Sequence, residues 1–244
     1  MSTPVMLVTG GSRGIGAAIV RLAAERGYDV AFTYSRDSAA ADQVANDVRA
    51  QGRRACAIKA DMADEAQILS AFAKFDEFGP LCALVSNCAI TGKNSTLAAA
   101  DISTLRAVLD VNVLGTMICA REAVLRMSTQ RGGAGGNIVL ISSRAALYGS
   151  PGEYVWYAAS KGAVDSFNAG LAREVGRDGI RVNAISPGPI VTEMHRPGRL
   201  EAVVPNNPMV RAGTPLEVAE AVLFLVSPAA SYINGANISI SGGV

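Results

Sequence analysis

Apolar positions in this chain come in short unbroken runs separated by longer, one-sided stretches. The runs are Val5–Thr9, Val30–Tyr34, Ala55–Lys59, Leu81–Val85, Asn137–Ser142, Ile180–Ala184 and Asn237–Ile240. The stretches place apolar residues on one helical face, as Ile19, Leu22 and Ala23 do within Ile15–Arg26. Further helices are predicted over Ser38–Ala50, Asp64–Phe78, Asp101–Met127 and Glu153–Gly176, and a last one from near Pro215, where proline suits a first turn. Strands without polar alternation are buried on both faces, and strands alternating with helices imply parallel pairing. The pattern predicts an α/β fold: one domain over residues 1–244, a doubly wound parallel sheet with helices on both faces.

Composition narrows the function. The 244 residues carry 22 Lys plus Arg against 21 Asp plus Glu, so no basic excess exists for phosphate-driven binding and no nucleic-acid partner is expected. Half the residues are hydrophobic, which excludes a disordered tail. Cys56, Cys82, Cys88 and Cys119 sit in apolar runs without a C-x-x-C pair; they read as buried thiols of a reducing compartment, and no metal site is expected. The opening MSTPVMLVTGG lacks the basic region of a signal peptide. The uncharged stretch from Ala221 to Val244 is interrupted by Pro228, Gly235 and Gly242, so it reads as helix end, turn and strand. A cytoplasmic protein with no membrane segment is the expectation. A proline-rich stretch, about 188–212, reads as a loop over the site.

Four glycines fall within Thr9-Gly10-Gly11-Ser12-Arg13-Gly14-Ile15-Gly16, between the first strand and the first helix. Glycine there permits a tight turn and close approach of a pyrophosphate, and the helix offers free N–H groups. With a strand before and a helix after, this is a dinucleotide-binding loop of the Rossmann type. The overlap of Gly10–Gly14 with a hydrolase G-x-S-x-G elbow is coincidental: that elbow follows several strands, and the one histidine, His195, lies in the proline-rich loop.

Tyr157 and Lys161 lie four apart in a helical segment, on one face. An ammonium beside a phenol favours phenolate and is expected to lower the tyrosine pKa toward neutrality, as a general acid/base for carbonyl reduction requires. Ser143 follows the preceding strand and can donate to the same carbonyl oxygen.

With these residues in view, the chain resembles the short-chain dehydrogenase/reductase family over essentially its whole length. The TGGSRGIG loop, Asp61, Asn87 in LVSNCAI, Asn112 in DVNVLG, Ser143 in VLISS, Tyr157 and Lys161 in YAASK, and Asn183, Pro187, Gly188 and Thr192 in VNAISPGPIVTEM carry the likeness. The resemblance implies that Tyr157 passes a proton while a nicotinamide passes hydride. Lys161 would lower the Tyr157 pKa and hold the ribose, Ser143 would orient the carbonyl, and Asn112 would hold a water relaying protons from Lys161. Asp61 would contact the adenine and Thr192 the carboxamide or pyrophosphate side. Gly10, Ser12, Gly14, Ile15, Gly16, Tyr34, Met62, Asn87, Pro187, Gly188 and Ile190 complete the implied cofactor surface. Ala89 stands where the family has glycine, and the Ser143–Tyr157 insert is long, which leaves Ser142 as a competitor of Ser143.

The second strand ends in Tyr34-Ser35-Arg36, without the carboxylate that accepts ribose hydroxyls in NAD enzymes. Arg13 and Arg36 can fork onto a 2′-phosphate with help from Ser35, so NADP(H) is the expected cofactor. Asp37 reads as a helix cap instead. The expected substrate is a small carbonyl or alcohol compound, meeting Tyr148–Trp156 and Ile190–Val210; His195 could touch it, though a solvated loop histidine is the plainer reading. A homotetramer through the two long helices is expected, as the family often forms. The competing class is a non-catalytic dinucleotide sensor or scaffold; the complete Asn, Ser, Tyr and Lys set favours the enzyme.

Overall fold

A computed structural model describes residues 3–244. Met1 and Ser2, the start of the segment read as lacking a leader, lie outside it. Seven strands form one parallel sheet: β1 (Val5–Val8), β2 (Asp29–Tyr34), β3 (Ala55–Lys59), β4 (Leu81–Ser86), β5 (Gly136–Ile141), β6 (Ile180–Pro187) and β7 (Asn237–Ile240). Their order is β3-β2-β1-β4-β5-β6-β7, so the chain reverses direction across the sheet between β1 and β4. The carboxyl ends there form the crevice in which such sheets bind ligands.

The helices are α1 (Gly14–Glu25), α2 (Ser38–Ala50), α3 (Glu65–Asp76), α4 (Ile102–Leu109), α5 (Thr116–Met127), α6 (Ala145–Tyr148), α7 (Val155–Glu174), α8 (Arg199–Val203) and α9 (Pro215–Val226). Two cores result. One joins α1, α2 and α9 to one sheet face through Ile19, Val44 and Val222; the other joins α3, α5 and α7 to the opposite face through Phe72, Ala120 and Val164. The inner strands β1, β2, β4, β5 and β6 are thus largely buried, as their pattern predicted, whereas the edge strands β3 and β7 are half-exposed.

Two boundaries differ from expectation. The single helix predicted over Asp101–Met127 is broken by a π-helical turn at Asp110–Gly115. A Cβ at Gly115 would collide with the Met62 carbonyl oxygen, and Asn112 turns fully inward there. Such π-turns often mark functional sites. Strand β6 runs on to Pro187, because Ile185, Ser186 and Pro187 pair with Ile238, Ser239 and Ile240 of β7. Ile102–Met127 is also the one helical stretch among the described residues long and apolar enough to cross a membrane. Its inner face, with Val108, Cys119 and Ala123, is core.

Candidate active site

The glycine loop turns on backbone geometry. Gly10 and Gly14 have φ of +66° and +53°, left-handed values that favour glycine. A Cβ on Gly16 would strike the Gly10 carbonyl and the Asn87 amide, so glycine lets α1 start directly against the loop. Thr33 fixes the loop from β2: Gly10 N–H donates to its Oγ1 at 3.1 Å and Gly11 N–H to its carbonyl at 2.9 Å. Asn87 fixes it from β4, its amide donating to the carbonyls of Thr9 (2.9 Å) and Gly10 (3.1 Å). Thr9 Oγ1 accepts in return from the N–H groups of Asn87 and Cys88, a role its sequence position did not announce.

The start of α1 differs from three other helix starts. Asp37, Asp64 and Thr214 side chains cap α2, α3 and α9, whereas α1 begins after Arg13 without a side-chain cap. First-turn N–H groups without an internal acceptor, at the positive end of a helix dipole, are the natural seat of a pyrophosphate. Ser12 and Ile15 flank this turn, and only Thr192 stands close to the space above Gly14. Asp37 is therefore the predicted cap, accepting from Ala40 N–H at 2.9 Å. Tyr34 is half-buried at the tip of β2, while Ser35, Arg36 and Arg13 are exposed. Arg13 makes a long, exposed ion pair with Glu193 at 3.5 Å, weak enough to yield to a phosphate.

Other expected cofactor residues gather at the same strand ends in different ways. Asp61 is exposed after β3, and its carboxylate accepts from Ala63 N–H. Met62 and Ile190 are buried in the two cores, so their side chains pack and only their backbone is available to a ligand. Pro187 ends β6, and Gly188 donates to Ile240 while passing too close to Ser241 for a side chain.

The chemistry-bearing residues converge beside this crevice. Tyr157 and Lys161 are buried on one face of α7, the ammonium 5.8 Å from the tyrosine ring centre. Ser143 Oγ accepts from Ala145 N–H at 3.1 Å, and its hydroxyl acts to lower the pKa of the Tyr157 phenol. Ser142 instead turns away to donate to the Lys161 carbonyl at 3.2 Å. Asn112 is wholly buried, and its amide clasps both backbone groups of Ile90 and reaches Ser160 Oγ at 3.0 Å. Those bonds engage its oxygen and both amide hydrogens. The side chain therefore ties the loop after β4 to α7.

Electrostatics bear on the Tyr157 and Lys161 pair. Lys161 donates to the Ile141 carbonyl at 2.7 Å, and burial draws its ammonium down to about 8. Burial is the largest influence on the Tyr157 phenol and raises it above its ordinary value; the Ser143 hydroxyl and the charge of Arg199 act against it. His195 is also not a solvated residue: it is half-buried, with Nδ1 3.2 Å from Arg199 Nη1. Trp156, expected at the substrate, lies in the core and donates to the Thr91 carbonyl. Among the described residues no cluster of three or more His, Cys, Asp or Glu can hold a metal.

A family model described as enoyl-(acyl carrier protein) reductase matches residues 10–244. A short-chain type dehydrogenase/reductase of Picea abies is 37% identical over 98% of this chain and 91% of its own. The chain belongs to the short-chain dehydrogenase/reductase family. Within that family it is 46% identical to an oxidoreductase of Escherichia coli, over 98% of this chain and 99% of that one. Its fold matches a short-chain dehydrogenase/reductase of Serratia marcescens with a TM-score of 0.91 and 37% identity, over 98% and 97% of the two chains. A short-chain dehydrogenase of Burkholderia cenocepacia solved in complex with NADP matches at 0.92 and 36%, with the same coverage. The seven-stranded parallel sheet with flanking helices is therefore the family's fold, and the protein is an oxidoreductase.

Proposed function

We propose that the protein interconverts a ketone and a secondary alcohol with NADP(H), using Tyr157 as general acid/base. The observation that carries this reading is the burial of Tyr157 and Lys161 on one face of α7, the ammonium 5.8 Å from the tyrosine ring centre, beside an uncapped glycine-loop helix. The fit to a dinucleotide rests on the space above Gly14 and the free first turn of α1. Bound NADPH would supply the hydride. Ser143 donates to the substrate oxygen and orients it. Tyr157, protonated at neutral pH, delivers its proton to that oxygen as the carbonyl is reduced. Lys161 holds the ribose hydroxyls and carries a proton beside the phenol. Asn87 and Asn112 position the loops, and Asp61 and Thr192 close on the adenine and carboxamide sides.

Arg13 and Arg36, with Ser35, receive the 2′-phosphate, supported by the absence of a free carboxylate at the tip of β2 now that Asp37 is spent on its cap. We infer a homotetramer from the apolar side chains of Leu109, Leu114 and Met117 exposed on α4, the π-turn after it and α5, and from the open edge of β7 beside exposed Phe224. A second copy of the chain is the partner these faces fit, and sedimentation should give four times the 25.2 kDa chain mass. The four unpaired thiols suit the cytoplasm. The function is tested by following NADPH absorbance with a panel holding a 3-oxoacyl thioester, a ketose and simple cyclic ketones. At least one ketone should be reduced, with a higher kcat/KM for NADPH than for NADH. No turnover across the panel, or equal use of NADH, would contradict the proposal.

A further inference from the structure

Beside Tyr157 lies a cluster that the mechanism above does not use. Arg199 opens α8, inside the loop over the site. Its Nε is 3.2 Å from each carboxylate oxygen of Glu153, and its Nη2 donates to Oε2 at 2.9 Å. The third nitrogen faces His195. These side chains are withdrawn from water, with exposures of 17% for Arg199 and 25% for Glu153. Glu153 is itself fixed, since its carbonyl accepts from Ser95 N–H at 2.9 Å. The guanidinium carbon stands 5.6 Å from the Tyr154 ring centre, and the Tyr154 ring meets the Tyr157 ring edge-on at 5.5 Å. The loop thus carries a permanent cation to the neighbourhood of the phenol, held by a planar fork.

We propose that Arg199 is a positioning residue for Tyr157: the loop delivers a second cation to the general acid/base, and Glu153 clamps it there, so the site is complete only when α8 is docked. The inference rests on the reading of Tyr157 given above. It adds a cation from a separate element to the lysine ammonium, which is itself anchored by the Ile141 carbonyl. The groups facing the phenol are Lys161 and Tyr154 on its own segment, Ser143 from the end of β5, and Arg199 from α8. Glu153, His195 and Arg196 surround the arginine, with Arg196 3.8 Å from Glu153, and Cys88 faces Lys161 from the loop after β4. Of these, the Ser143 hydroxyl and Arg199 are what oppose the effect of burial on the phenol. Arginine keeps its charge at every working pH, so the phenol is the group whose titration reports the contact.

The test is the pH profile of kcat/KM for alcohol oxidation with NADP+, using the alcohol made from the best ketone of the panel. Oxidation needs the phenolate, so the rate rises with pH through the tyrosine midpoint. Arg199→Met should move that midpoint up by about one unit, the size expected for losing one nearby opposite charge. Arg199→Lys should keep the midpoint near that of the native protein while raising KM. Arg199→Gln retains a donor to Glu153 and replaces the methionine variant if that one does not fold. A midpoint unmoved in the neutral variants, or moved equally in Arg199→Lys, would overturn the proposal and leave Arg199 a structural latch. Tyr157→Phe run alongside separates the two readings. If it retains native turnover, the general acid/base assignment falls and this inference with it; if it is inactive, the arginine variants judge Arg199 alone.

Discussion

The two walls of the crevice are built by different means. The glycine-loop wall is backbone against backbone: positive-φ glycines, a helix starting where a Cβ would collide with a carbonyl, and N–H groups pinned by Thr33 and Asn87. The facing wall, from Glu153 to α8, is side chain against side chain, with Arg199 on Glu153 and His195. A backbone wall tolerates few residue types, and a side-chain wall tolerates many. The first fits a ligand of constant shape, and the second leaves substrate choice free to vary.

That contrast can be broken from either side. The largest effect is expected at the junction of the walls. Lys161→Met should lower kcat by about two to four decades, as loss of general acid/base support does. It should also raise thermal stability, because a buried ammonium is a cost to the fold. The sign follows from its lowered pKa of about 8. At lower pH both folded and unfolded chains carry the charge and the cost is full. Between about 8 and the unfolded value of about 10.4 the unfolded chain binds more protons, so stability of the native protein rises with pH. Thermal melts of both proteins across that range check it, and a gap between them that widens with pH would contradict it.

On the backbone wall, Gly16→Ala should cost about 1–3 kcal/mol in overpacking, read as a lower melting temperature, and should weaken NADPH binding measured by fluorescence titration. A variant as stable and as tight as the native protein would show that α1 can shift away from Gly10. Next in size, Arg13→Ala/Arg36→Ala should reduce NADPH preference by about tenfold in kcat/KM, a loss of about 1.4 kcal/mol for the phosphate contacts. The smallest effect sharpens the same point. Asp37→Ala should destabilise α2 by about 1 kcal/mol, the worth of an N-cap, yet leave the NADPH-to-NADH ratio unchanged. A changed ratio would return Asp37 to the cofactor.

The same contrast explains what was readable in the sequence. The strand order of signals, the glycine loop and the Tyr157/Lys161 spacing are dictated by local geometry, and α2, β3 and β7 stand at the residues the pattern predicted. Asp37 was recognisable as a cap because the helix pattern begins right after it. Long-range contacts were not legible. Nothing in the local pattern announces that Arg199 reaches back 46 residues to Glu153, or that Trp156 turns into the core to meet Thr91. The break at Asp110–Gly115 lies where a carbonyl of another segment, at Met62, packs against Gly115, a contact the local pattern does not show. The Tyr157 phenol was expected to be acidic from its neighbour alone; its burial, a property of the whole fold, opposes that.

The central claim is that one phenol, set between Ser143 and Lys161, moves the proton in a hydride transfer with NADP(H). Its most direct test is Tyr157→Phe, with NADPH affinity taken from fluorescence titration and kcat from absorbance on the best ketone of the panel. The account predicts an affinity within about twofold of the native protein and a kcat lower by about two to four decades. Native turnover by the phenylalanine variant would contradict it.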